Sequence, residues 1–198
     1  MAVLSDRDIR SRLNYRGEVS GRITDRTIGI EPCEDHQVQP ASVDLTLADE
    51  WRVYDGMGGW LPPVDRPIDI DYAKVVQTEK IIAAEYTLRP HELILCSTIE
   101  YVDIPYDIQA QVHGKSSLGR LGLLVHITAG FIDPGFKGKI TLEMYNLNNR
   151  SIILRAGKPI CQLSMTKLSS AAEFPYGHEK LNSKYQDQRE VQGSLYDG

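Results

Sequence analysis

The sequence predicts a mainly β single domain over 1–198, its sheet closed or sandwiched to hide strand edges, with a short N-terminal helix and one short internal helix. Turn-forming Gly, Pro, Asn and Asp recur every several residues after the first helix, and the segments between them are rich in Val, Ile, Thr and Tyr. Several of those segments alternate polar and apolar residues, which is the period of a half-buried strand. The 198 residues are also 41% hydrophobic and 25% charged, enough apolar material for a real core and unlike a disordered chain or a fibre.

Ser5-Asp6-Arg7-Asp8 has the capping-box form, a hydroxyl followed three residues on by a carboxylate, and Ile9 and Leu13 follow at helical spacing. Ser42-Val43-Asp44-Leu45-Thr46-Leu47 alternates and is the first clear strand. Further strands are predicted over 51–54, 93–97, 108–113, 139–145, 151–154 and 160–166, with Asn148-Asn149 as a hairpin turn between two of them. Residues 55–71, rich in Gly and Pro, read as a long surface loop. Residues 116–124, with Leu118, Leu121 and Leu124, make a short helix that Gly119 and Gly122 weaken. From Tyr176 onward the chain is polar and Gln-rich, so 176–198 reads as a tail that must dock on something to be ordered.

A net charge of -5 excludes the broad basic surface of non-specific nucleic-acid binding, so any anion site must be a local cluster of cations. Cys33, Cys96 and Cys161 are odd in number and far apart, which suits a reducing compartment without a disulfide framework; buried inert thiols are their plain reading. The opening MAVLSDRDIR has acids and arginines where a signal peptide needs an apolar stretch, and no later run approaches membrane-spanning length. A cytoplasmic protein with no membrane partner is expected.

The densest polar cluster is His113-Gly114-Lys115-Ser116-Ser117-Leu118-Gly119-Arg120. Its two cations and two hydroxyls, opened by a glycine, have the donors to surround a phosphate, and a helix beginning near Ser116 adds its positive end. The same residues also fit a solvated polar turn. They are not a P-loop, because that motif needs a glycine five residues before Gly114, where Gln109 stands. Asp133-Pro134-Gly135 is turn chemistry. Glu143 lies in a strand with Ile140, Leu142 and Met144 on one face and Thr141, Glu143 and Tyr145 on the other; alternation alone leaves it an ordinary strand glutamate. His126, inside an apolar run, reads as a hydrogen-bonded core or interface residue rather than a proton carrier.

Taken in order, the motifs resemble the dCTP deaminase branch of the dUTPase-like superfamily, closest to its bifunctional, dUMP-forming members. The matching text is Gly114-Lys115-Ser116-Ser117-Leu118-Gly119-Arg120-Leu121-Gly122, Val125-His126, Thr128-Ala129-Gly130-Phe131-Ile132-Asp133-Pro134-Gly135-Phe136, Gly138 and Thr141-Leu142-Glu143. Support comes from Leu4 to Ile9, from Gln39-Pro40-Ala41-Ser42-Val43-Asp44-Leu45, from Gly157-Lys158-Pro159-Ile160-Cys161-Gln162-Leu163, and from Tyr176 with Lys184-Tyr185-Gln186-Asp187-Gln188. The resemblance implies a distorted β-barrel or jelly-roll-like, dUTPase-like fold, a homotrimer with active sites at subunit interfaces, and a tail that closes over bound nucleotide. It also implies a deaminase without zinc. The residues agree: no histidine has a glutamate two positions on and no two cysteines are close, so the ligand set of zinc deaminases is missing from the sequence.

By motif position, Glu143 resembles the general base that takes a proton from water attacking C4 of cytosine and passes a proton to the leaving amine. Ser116 and Arg120 resemble the groups that position that water and hold Glu143. The Ala129 carbonyl resembles the acceptor for the exocyclic amine, Phe136 the aromatic against deoxyribose, and Asp133 the carboxylate that meets the 3′-hydroxyl. Lys115, Ser116, Ser117, Gln162, Tyr176, Lys184 and Gln188 resemble the triphosphate ligands, and Thr141 belongs to the substrate-binding Thr-Leu-Glu segment. The resemblance also implies that magnesium accompanies the phosphates, held by them and by water more than by protein. Lys115 stands where arginine is more usual, which keeps the charge and loses the planar fork.

Monofunctional members of the best-known type carry His-Arg where this chain has Gly130-Phe131, and the Ala-Gly-aromatic-Ile-Asp run is similar to bifunctional members. The resemblance therefore favours dCTP conversion to dUMP, diphosphate and ammonia over release of dUTP. A plain dUTPase is a competing reading, as is a regulator that binds nucleotide without turnover; the deaminase-like segments and the retained Ser116, Arg120 and Glu143 stand against them. Feedback inhibition by dTTP is expected of an enzyme that feeds thymidylate synthesis.

Overall fold

The computed structural model of the protein describes residues 2–13, 27–54 and 78–196, so the loop expected over 55–71 lies outside the described residues. Strand β1 (Ala2–Val3) leads into helix α1 (Asp6–Arg12), whose Ser5 cap and Asp8 make both bonds of the capping box. Ile9 of this helix is fully buried. Short strands β2 (Gly29–Glu31) and β3 (Val38–Gln39) follow, the latter preceded by a 3-10 turn over Asp35–Gln37.

Strand β4 (Ser42–Tyr54) organises the rest of the fold. The sequence pattern predicted two strands here, and they form one. Its first half pairs with β13 (Pro159–Lys167) and its second with β5 (Thr78–Ile82) and β7 (Leu93–Asp103). Between Leu47 and Trp51 the register slips: these four steps of β4 oppose the two from Thr98 to Cys96 on β7. An even-numbered insertion bends the strand without reversing its faces, so Val43, Leu45, Leu47, Trp51 and Val53 all remain buried.

The sheet runs β10 (Phe131–Ile132), β8 (Ile108–Gly114), β13, β4, β7, β11 (Lys137–Asn146), β9 (Leu123–Leu124) and curls into a half-barrel around the core. The expected mainly β fold is what forms, and its closed or sandwiched character takes this curled shape. A second small sheet pairs β6 (Glu85–Leu88) with β12 (Ile152–Arg155).

Two expectations are corrected. Helix α2 covers only Ser116–Gly119, not 116–124. Gly122, at φ +86, turns the chain out of helical geometry, and Leu123–Leu124 then pair with β11 as β9. The Asn148-Asn149 turn is not a hairpin, since β11 pairs with β7 and β9 while β12 pairs with β6. The buried Asn146 side chain donates to Leu88 O and Arg150 O and accepts from Asn148 N, which redirects the chain between sheets.

Candidate active site

Strand β11 places the site. Gly138, Ile140, Leu142, Met144 and Asn146 are buried while Lys139, Thr141, Glu143 and Tyr145 lie on the other, partly exposed face. Lys139, Thr141 and Glu143 therefore form one wall of a pocket of about 390 Å³. The segment around β10 carrying Ala129, Phe131, Ile132, Asp133 and Phe136 forms another wall, and Tyr54 with Leu95 add to it from β4 and β7. The volume suits a small-molecule ligand.

The tail supplies the remaining surface through Tyr176, Tyr185, Gln188, Gln192, Gly193 and Ser194. It docks beside β11 by backbone bonds: Lys139 N donates to Gln188 O and Asp187 N donates to Lys137 O, each at 2.8 Å. Gly138 permits this approach, because a Cβ there would sit 3.1 Å from both Gln188 N and Gln188 O. The Gln188 amide then donates to Thr141 Oγ1, the Tyr176 ring meets Phe136 edge-on at 5.6 Å, and the Tyr176 hydroxyl accepts from Tyr185 N. The tail expected to need a docking surface finds it on its own chain, and Val191 is fully buried.

Electrostatics mark the same pocket. Glu143 Oε2 accepts a hydrogen bond from Ile127 N at 3.3 Å, which fixes the carboxylate against the 125–130 loop. Burial pushes the Tyr54 hydroxyl above its ordinary pKa, and the nearby Glu143 charge adds to that. Burial alone raises the Asp133 carboxyl above the usual aspartate value. A carboxylate and a phenol in one half-enclosed pocket are equipped to move protons to and from a bound polar ligand.

The predicted residues fall into two groups. Ala129, Phe131, Asp133, Phe136, Thr141, Glu143, Tyr176 and Gln188 line the pocket together, with Gly130 buried beside them. Lys115, Ser116, Ser117, Arg120, Gln162 and Lys184 do not line it. Lys115 Nζ instead lies 2.7 Å from Asp44 Oδ1, and Gln162 Nε2 donates to the same oxygen at 3.2 Å. Among the described residues, the side chains of Ser116, Ser117 and Arg120 make no hydrogen bond or ion pair. No group of three or more His, Cys, Asp or Glu side chains is gathered as a metal-ligand set among the described residues.

Sequence reasoning missed Tyr54, Leu95, Ile132, Lys139, Ile140, Tyr185 and 192–194 as pocket residues. Lys139 was readable, because it shares strand parity with Thr141 and Glu143. Tyr54 gave no signal, since its place depends on which strands flank β4.

A sequence profile described as dCTP deaminase-like matches residues 13–168. The chain belongs to the dCTP deaminase family. The family member from Methanobrevibacter smithii named "dCTP deaminase, dUMP-forming" is 39% identical over 98% of this chain and 95% of its own. A protein of the same name from Rhodococcus erythropolis is 46% identical over 94% of this chain and 92% of its own. The crystal structure of 2′-deoxycytidine 5′-triphosphate deaminase from Agrobacterium tumefaciens superimposes with a TM-score of 0.58 at 23% identity, covering 82% of this chain and 47% of that one. That likeness shows that the family fold is shared. Among the described residues no helix is long and apolar enough to cross a membrane.

Proposed function

We propose that this member of the dCTP deaminase family hydrolyses dCTP to dUMP, diphosphate and ammonia in one site. The observation that carries the reading is Glu143, set in β11 with Thr141 and facing Ala129, Asp133 and Phe136 under the tail residues Tyr176 and Gln188. Support for the dUMP product comes from the names of relatives that match nearly the whole chain.

In the first half-reaction water attacks C4 of the pyrimidine. Glu143 takes one of its protons as the C–O bond forms, then returns a proton to the amine as the C4–N bond breaks and ammonia leaves. The Ala129 carbonyl accepts from the exocyclic amine, Phe136 packs against deoxyribose, and Asp133 meets the 3′-hydroxyl. In the second, water attacks the α-phosphorus and the bond to the bridging oxygen breaks, releasing diphosphate. The Gly130-Phe131 pair, of which Phe131 lines the pocket, is assigned to this second step.

Lys115, Ser116, Ser117, Gln162, Tyr176, Lys184 and Gln188 bind the triphosphate. Mg2+ comes with the nucleotide, bound by phosphate oxygens and water. Ser116 and Arg120 reach Glu143 of a neighbouring protomer in a homotrimer. Support for this assembly is that their side chains are partnerless within the described residues, while Leu121, Leu124 and Leu147 lie exposed on neighbouring backbone: Leu147 N bonds to Gly122 O and Leu124 pairs with Tyr145. dTTP shares the deoxyribose and triphosphate and therefore inhibits by occupying the same pocket. The three free thiols fit an enzyme of the cytoplasm.

Incubation with dCTP or dUTP and Mg2+, followed by chromatography, tests the reading. Ammonia with dUMP from dCTP is the expected result. Accumulated dUTP makes the enzyme monofunctional, and cleavage of dUTP with dCTP untouched makes it a dUTPase.

A further inference from the structure

We infer that Asp44 is a positioning residue for the nucleotide's phosphates, acting through Lys115 and Gln162 rather than on the nucleotide itself. This rests on the function proposed above and extends it to a residue to which the sequence motifs assign no role. Three adjacent strands create the arrangement. Asp44 on β4 lies opposite Gln162 on β13, and Gly114, which ends β8 just before Lys115, lies opposite Cys161 on β13. The Lys115 ammonium and the Gln162 amide thereby converge on one oxygen, Asp44 Oδ1, at 2.7 and 3.2 Å.

Donor inventory decides what this convergence does. An ammonium has three N–H groups and a carboxamide has two, so one bond from each to Asp44 leaves two and one for another anion. The carboxylate accepts only, which forces the Gln162 amide nitrogen toward it and sets the orientation of the whole amide. Asp44 thus aims both donors without exhausting either. With side-chain exposures of 16% for Asp44 and 23% for Lys115, the pair is held close rather than swinging in water.

The backbone around Asp44 is itself pinned from inside the protein. Gln37 Nε2 donates to Asp44 O at 2.9 Å and to Glu100 Oε1 at 2.8 Å. Glu100 is 1% exposed, and its two oxygens accept from Thr46 N at 3.1 and 2.9 Å. Buried polar groups tied this way fix β4 at Asp44 and at Thr46 just beyond it. A surface ion pair formed by chance has no such support.

The signature of this role is dependence on phosphate. In Asp44→Asn, KM for dCTP rises about tenfold, the scale of losing charge-assisted hydrogen bonds, while kcat stays within about twofold. Competitive binding of deoxycytidine, which has no phosphate, stays unchanged. In a Lys115→Met background the added Asp44→Asn causes a smaller further loss, the part that passes through Gln162. An unchanged KM for dCTP, an equal loss for deoxycytidine, or full additivity with Lys115→Met overturns the inference. Should Asp44→Asn alone fail to fold, the double variant removes both charges together, and a further loss of about tenfold relative to Lys115→Met alone is again the overturning result. Calorimetric binding of inorganic triphosphate to wild type and both variants separates the two claims: absence of dCTP turnover by wild type defeats the function, whereas the triphosphate affinities still decide the role of Asp44.

Discussion

The pocket around Glu143 is lined by residues of β4, β7, β11, the 129–136 segment and the tail, whereas Lys115, Ser116, Ser117 and Arg120 are not among its lining residues. In the pocket, strand parity aligns Lys139, Thr141 and Glu143, and the tail adds Gln188 and Tyr176 by hydrogen bonds and ring packing. In the other region, Lys115 is held by Asp44, and the Ser116, Ser117 and Arg120 side chains make no hydrogen bond or ion pair within the described residues. The difference teaches that the Glu143 pocket is assembled by long-range packing within the subunit, while α2 leaves its polar groups exposed. In the homotrimer proposed above, Ser116 and Arg120 of one copy complete the Glu143 pocket of another.

The largest effect tests that division directly. Glu143→Gln lowers deamination by about three orders of magnitude, the scale of losing a general base, while dCTP binding measured by calorimetry persists. Arg120→Ala is also inactive in isolation. Mixing the two variants by dissociation and reassembly restores activity to roughly a quarter of wild type, because that share of randomly formed interfaces unites intact Glu143 with intact Arg120. Continued inactivity of the mixture places both residues in the same subunit's site and removes the contrast between the regions.

Next in size is Gly130→Ala, which perturbs the backbone behind the pocket wall. A Cβ at Gly130 sits 2.9 Å from Val112 O and 3.1 Å from His126 Cε1. Because Val112 N also bonds to Gly130 O at 2.7 Å, the backbones are tied and one must shift. The expected cost is about 1–3 kcal/mol of stability, read by thermal unfolding. The product ratio moves toward dUTP, because the wall beside Phe131 changes shape. An unaltered melting temperature contradicts the steric argument, and an unaltered product ratio contradicts the role of this wall.

The same contrast explains which parts of the molecule were legible. The face of Glu143 was readable because β11 alternates without interruption, and the capping box of α1 was readable because its bonds span three residues. The joining of two predicted strands into β4 was not, because a bulge interrupts the pairing while preserving face parity. Tyr54 enters the pocket only through the placement of β4 beside β7, a long-range fact that local pattern does not carry. The tail hid its docking for another reason: its chief attachments to β11 are backbone bonds, to which side-chain composition is silent. Tyr54→Phe, which removes only the hydroxyl from this pocket, lowers kcat/KM about threefold, and an unchanged pH–rate profile with unchanged rate makes that hydroxyl a spectator.

The smallest effect concerns how the tail is fastened away from the pocket. Val191 is fully buried, its N–H donates to Glu50 Oε1 at 3.1 Å, and its carbonyl accepts from Arg52 Nε. Beside it, Lys80 Nζ lies 2.9 Å from Glu190 Oε2 and 3.5 Å from Glu50 Oε2. The hydrogen bond from Lys80 holds the Glu190 carboxyl below its ordinary pKa of 4.5, and Glu190 raises Lys80 above 10.5. A lowered acid contributes its stabilisation above 4.5 and loses it as pH falls through the depressed value; a raised base contributes below 10.5 and loses it as pH rises through the elevated one. Between those limits the ion pair is intact, yet solvent exposure keeps its share small beside the buried Val191. Hydrogen exchange at the Val191 amide therefore quickens only modestly in Glu190→Gln or at high salt, and markedly in Val191→Asp. Equal quickening in Glu190→Gln and Val191→Asp shows instead that the exposed ion pair, and not the buried side chain, carries the closure of the tail over the pocket.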